Sequence, residues 1–138
     1  MKFDYHETEF VNPSGKLVKI YRPFLELYLT KRGTKTIQVL GLLDSGADIV
    51  MFPLHFADYF EIPYRKAEKF NVQVAGGEIT TAYHVPFELH KIELKVAGKT
   101  VKLPIDFCNG QPYPLLGQTF FENFRVNFNR KSKTFELI

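Results

Sequence analysis

Five aspartates occur in the 138-residue chain, and two of them fall in one turn, Leu42-Leu43-Asp44-Ser45-Gly46-Ala47-Asp48. Two apolar residues lead out of a buried strand directly into Asp44, where an isolated carboxylate is costly unless it is paired or hydrogen-bonded. Ser45 places a hydroxyl beside it, and Gly46 permits a tight backbone whose amides turn back on the carboxylate. A carboxyl group so placed must be paired and hydrogen-bonded or have its pKa shifted. The same residue types also make a plain β-turn, in which Asp and Gly supply turn geometry and nothing more. The turn alone leaves both readings open.

A second segment, Pro112-Tyr113-Pro114-Leu115-Leu116-Gly117-Gln118-Thr119-Phe120-Phe121, reads as a buried strand passing straight into a helix. Gly117 at the junction allows close backbone approach. The elements that position these two segments follow a period of two, the pattern of half-buried strands. Leu25, Leu27 and Leu29 alternate with polar residues, Lys31-Arg32-Gly33 turns the chain, and Thr36 to Leu43 returns. Ile92, Leu94 and Val96 form another strand, Ala97-Gly98 a turn, and Val101, Leu103 and Ile105 the return strand. Val126 and Phe128 pair with Phe135 and Leu137 in a last hairpin. Helical spacing is confined to Pro53–Phe60 and Gln118–Phe124. The expected fold is all-β, a closed or nearly closed barrel with one or two short helices.

Composition narrows the function. The chain is 45% hydrophobic and 24% charged with a net charge of +3, which fits one soluble globular domain. Arg125, Arg130, Lys131 and Lys133 gather at the last hairpin as a solvated turn, and no basic stripe interleaved with aromatics suggests nucleic acid. No apolar run approaches the roughly 20 residues needed to cross a bilayer. The polar Met1–Glu7 stretch is unlike a signal peptide. One cysteine, Cys108, excludes an internal disulfide and, with four scattered histidines, a thiolate-rich zinc site. Cys108 reads as a small buried or half-buried side chain, and His84 and His90 as exposed or hydrogen-bonded residues of strand-like stretches rather than metal ligands. No cofactor or metal is expected, and the setting expected is cytoplasmic.

Taken together, Asp44-Ser45-Gly46-Ala47-Asp48 and Leu115-Leu116-Gly117 resemble the two signature elements of the retroviral-type (retropepsin-like) aspartic proteases. Gly76 and Gly77, in Val74-Ala75-Gly76-Gly77-Glu78-Ile79, stand where that family carries its flap hairpin. The resemblance implies an acid-protease barrel over residues 21–138. Residues 1–20 are left as an extra strand, a dimer arm or a propeptide. It implies Asp44 as the catalytic carboxylate, Ser45 bracing the active-site loop across a dimer axis, and Gly46 and Ala47 presenting backbone to the site. Asp48, Gly76 and Gly77 would contact or cover the substrate.

Hydrolysis by this family needs two carboxylates sharing a proton. One Asp-Ser-Gly per chain therefore implies a homodimer, with Asp44 contributed from each side of a two-fold axis. The expected function is that of an aspartic endopeptidase acting on peptide or protein substrates, with no nucleic-acid or membrane partner. The alternative is a non-catalytic peptide-binding or assembly module on the same fold. One departure stands out: the family commonly places Arg after its second glycine, where this chain has Gln118. Asp48 then loses a charged partner, and Gln118 would offer it at most a neutral hydrogen bond.

Overall fold

The computed structural model describes residues 1–32, 34–74 and 77–138. Gly33, Ala75 and Gly76 lie outside the described residues, and with them the centre of one expected turn and one of the two expected flap glycines. The chain begins with β1 (Lys2–Asp4) and a hairpin of β2 (His6–Val11) and β3 (Leu17–Arg22). β4 (Phe24–Lys31) and β5 (Lys35–Leu43) follow, then β6 (Val50–Pro53), α1 (Leu54–Tyr59) and a 3-10 turn at Tyr64–Lys66. β7 (Glu68–Gln73) and β8 (Ile79–Val85) form a hairpin, followed by α2 (Phe87–His90), β9 (Ile92–Val96), β10 (Lys99–Val101) and β11 (Ile105–Cys108). The chain ends with β12 (Leu115–Leu116), α3 (Gln118–Phe121), β13 (Val126–Asn129) and β14 (Thr134–Leu137).

The fold is mostly β. Nine strands form one sheet in the order β10-β9-β4-β5-β12-β6-β11-β8-β7, curled as a half-barrel with β10 and β7 at its edges. β1, β14 and β13 form a separate three-stranded sheet, so the start and end of the chain lie side by side. The expected alternation holds in β4, where Leu25, Leu27 and Leu29 are fully buried and Glu26 and Tyr28 are exposed. These leucines pack with Phe52, Phe60, Phe107, Phe120 and Phe135, and the many phenylalanines account for much of the core. Among the described residues no helix is long and apolar enough to cross a membrane.

In its secondary structure the chain departs from the sequence reading at Val101–Ile105, at His90 and at the last helix. The strand expected over Val101–Ile105 is split: β10 ends at Val101, and Ile105 opens β11, which joins β6 and β8 instead. Pro104, which has no N–H to give a ladder, lies at this break. His90 sits at the end of α2, not in a strand, and is buried. Its Nδ1 accepts from the Ile92 N–H (2.8 Å) and its Nε2 faces the Leu103 carbonyl (3.1 Å). The last helical stretch ends at Phe121 rather than Phe124, although Phe124 still stacks on Phe120 with ring centroids 4.9 Å apart.

Candidate active site

The core of the sheet is where β5, β12, β6 and β11 meet. β12 is only two residues long, yet it lies between β5, to which it is parallel, and β6, to which it is antiparallel. The turn between β5 and β6 thus hangs from the end of the sheet, and the chain leaving β12 runs directly across it. Asp44 is the first residue of that turn. Its N–H donates to the Leu116 carbonyl (3.1 Å), which anchors the backbone to β12.

The rest of the turn is held by its carbonyls. Gly117 N–H donates to Ile49 (3.1 Å), Gln118 N–H to Ala47 (2.8 Å), and Thr119 N–H to Asp48 (3.2 Å). Thr119 Oγ1 adds a second bond to the Asp48 carbonyl (3.2 Å), and Gln118 Nε2 donates to the Ser45 carbonyl (2.5 Å). Crossing this closely requires glycine at 117. A Cβ there would stand 2.4 Å from the Ile49 oxygen and 2.5 Å from the Ala47 oxygen, closer than any real contact.

The resulting frame presents side chains outward. Asp44 is half-buried, and its Oδ1 accepts a hydrogen bond from the Gly46 N–H (3.0 Å), so one carboxylate oxygen is oriented by the loop itself. Ser45, Gly46 and Asp48 are exposed and Ala47 half-buried. Among the described residues the Ser45 hydroxyl makes no hydrogen bond and the Asp48 carboxylate no ion pair. Gln118 does not serve Asp48 as expected from the sequence: its amide is committed to the Ser45 carbonyl, one turn of the loop away.

Strand alternation puts Asp44 on the sheet face that carries Leu42, whose cross-strand neighbours are Leu115 and then Met51. Met51 packs with Val74, Ala82 and Cys108, with Ile49, Val72 and Leu115 at the margin, in a small apolar cluster apart from the main core. Val72 and Val74 belong to the β7–β8 hairpin, so this cluster ties the hairpin to the face leading to Asp44. At the hairpin tip the Gly77 N–H donates to the Val74 carbonyl (3.0 Å), and Gly77 adopts φ +86°, which glycine takes without steric cost.

No protein-family model and no curated protein matches the sequence. Solved structures do match. A retropepsin-like aspartic protease from Rickettsia conorii superposes with a TM-score of 0.59 at 16% identity, covering 96% of this chain and 98% of that one. The chain has the retropepsin-like fold. EIAV protease complexed with an inhibitor gives a TM-score of 0.47 at 20% identity, covering 74% of this chain and 86% of that one. The retropepsin-like fold agrees with the order in which the sequence lays out its two motifs, now neighbours through β12 and the turn beneath it.

His84 is hydrogen-bonded on this face by a residue the sequence reading did not single out. Asp106 in β11 is buried, and its Oδ1 lies 2.6 Å from His84 Nδ1 on β8. Burial raises the Asp106 carboxyl above the ordinary value, and the His84 hydrogen bond opposes that rise. Burial also raises the Cys108 thiol, with the nearby Asp106 charge adding to it, so this cysteine is held as an inert apolar side chain. A lone Asp in an apolar tetrad, Ile105-Asp106-Phe107-Cys108, was the available signal, since burial at that position demands a partner.

Proposed function

We propose that the chain is an aspartic endopeptidase that cleaves peptide bonds as a homodimer, with one Asp44 from each copy. The observation that carries this reading is the Asp44 turn. Its carboxylate is aimed by the Gly46 N–H, half-exposed, and fixed to the sheet through Leu116, Gly117 and Gln118. Such rigidity suits acid–base chemistry, because a proton-transferring group must hold its geometry through the reaction.

In this mechanism a water lies between the two carboxyl groups. The ionised Asp44 takes a proton from the water as its oxygen attacks the peptide carbonyl carbon. The protonated Asp44 gives its proton to the carbonyl oxygen. As the tetrahedral diol collapses, one of its hydroxyls returns a proton to the ionised Asp44 and becomes the new carbonyl. The C–N bond breaks, and the leaving nitrogen receives the proton first taken from water, which restores the singly protonated pair. Water is consumed, and one acid and one amine result. Ser45, whose hydroxyl has no partner among the described residues, braces the turn against its twin. Asp48 holds substrate backbone, and the β7–β8 hairpin around Gly77 closes over the peptide.

The test is digestion of a mixed peptide library from pH 3 to 7 beside Asp44→Asn, with sedimentation of both proteins. Asn keeps an oxygen for the Gly46 N–H, so the fold is retained. Loss of about 10²–10⁴ in cleavage rate is expected, the range carried by a general acid–base group. Cleavage surviving in Asp44→Asn, or full activity from a monomer, refutes the reading. Peptide binding without cleavage by either protein favours the non-catalytic module instead.

A further inference from the structure

Leu42, Leu115, Met51, Asp106, His84 and Glu68 are successive cross-strand partners in one row spanning six strands. The row begins beside Asp44 as apolar surface and ends as a polar cluster. We infer that this end, His84 and Glu68 supported by buried Asp106, binds a lysine or arginine side chain of the peptide whose backbone crosses the Asp44 site. The inference deepens the peptidase reading and rests on it.

The cluster is rich in acceptors. His84 Nδ1 lies 2.6 Å from Asp106 Oδ1, and with the carboxylate ionised and the ring neutral the Nδ1–H donates and Nε2 of the partly exposed ring, 40% accessible, is left to accept. Glu68 is exposed on the edge strand β7 and enters no ion pair among the described residues. Lys69 next to it alternates to the other face and lies over the Tyr83 ring. Asp106 has only 3% of its side chain accessible, and its Oδ2 has no hydrogen-bond partner among the described residues. This sealed carboxyl acts through His84, whose ring it holds, while Glu68 offers the open carboxylate. A group with several N–H donors and a positive charge satisfies the His84 nitrogen and the Glu68 carboxylate together. An ammonium brings three and a guanidinium five. An acidic or apolar side chain brings none.

Four strand spacings, about 19 Å along the sheet, separate Leu42 from His84, which an extended peptide covers in about six residues. The curl of the sheet shortens the direct path. The residue recognised therefore lies within about six positions of the scissile bond.

The experiment uses the wild-type protein and fluorescein-labelled decapeptides with an uncleavable reduced Phe-Leu bond at the centre and neutral flanks. One Lys is moved through the flanks position by position, against norleucine at the same place, and affinity is read by anisotropy. At one position Lys is expected to bind about tenfold more tightly than norleucine, an ordinary gain for a charge-assisted contact. In Glu68→Gln the gain should fall to about twofold while the norleucine peptide keeps its affinity, which also reports an intact fold. Equal binding of Lys and norleucine at every position overturns the inference and leaves the peptidase reading standing. A Lys gain undiminished in Glu68→Gln overturns it as well. If no peptide binds and the library digestion is also negative, both readings fall together.

Discussion

Gly117→Ala tests the crossing of the two motifs most directly. The added methyl would meet the Ile49 oxygen at 2.4 Å, the Ala47 oxygen at 2.5 Å and the Ala47 carbonyl carbon at 2.8 Å. All three are backbone atoms, so no side chain can swing aside. Relief needs a shift of roughly 1 Å between the turn and the strand end. That shift stretches the Gly117–Ile49 and Gln118–Ala47 hydrogen bonds, now 3.1 and 2.8 Å. Overpacking costs about 1–3 kcal/mol and each weakened bond about 0.5–1.5 kcal/mol, so a loss near 3–4 kcal/mol is expected. For a domain of this size that lowers Tm by about 10 °C. The assay is thermal and urea unfolding of wild type and Gly117→Ala, with Gly77→Ala as the contrast. Gly77 has φ +86° and only the Gln73 side-chain amide nearby at 3.6 Å, so alanine there costs only backbone strain, about 1–2 kcal/mol. A Gly117→Ala protein melting within 2 °C of wild type would refute the close crossing.

Other expectations follow from the buried polar groups and the core. Burial lowers the His90 pKa, so this group contributes stability above about pH 6.5, its ordinary value, that is lost as pH falls through the folded value. Asp106, raised by burial, works in the opposite sense: its contribution is present below the ordinary carboxylate range and lost as pH rises through the folded value. Urea unfolding between pH 4 and 7 should therefore show a steeper acid loss in Asp106→Asn and a shallower one in His90→Gln. Identical slopes in all three proteins would contradict both assignments. Cys108, fully buried with its thiol raised, should react with a disulfide reagent only as fast as the protein opens, and at once in urea. Leu27→Ala, at a fully buried site of β4, should lower unfolding free energy by about 2–5 kcal/mol. A loss below 1 kcal/mol would place that side chain outside the core.

Much of this protein is written locally in its chain. Period-two alternation marks β4, β5, β9 and the final hairpin because a half-buried strand must sort its side chains by face. The Asp44-Ser45-Gly46 turn and the Leu-Leu-Gly step are legible for a similar reason: each needs particular residue types within a few positions. What the chain could not announce is which distant backbone each group would meet. Gln118 looked like a weak partner for Asp48 and instead clamps the Ser45 carbonyl. Asp106 is one acid in an apolar run and takes its meaning only from β8, which sets His84 against it, and nothing local to Pro104 says that the strand beyond it leaves β9 for β6. Those outcomes depend on strand order and register between segments tens of residues apart, set by the packing of the whole sheet rather than by any local preference.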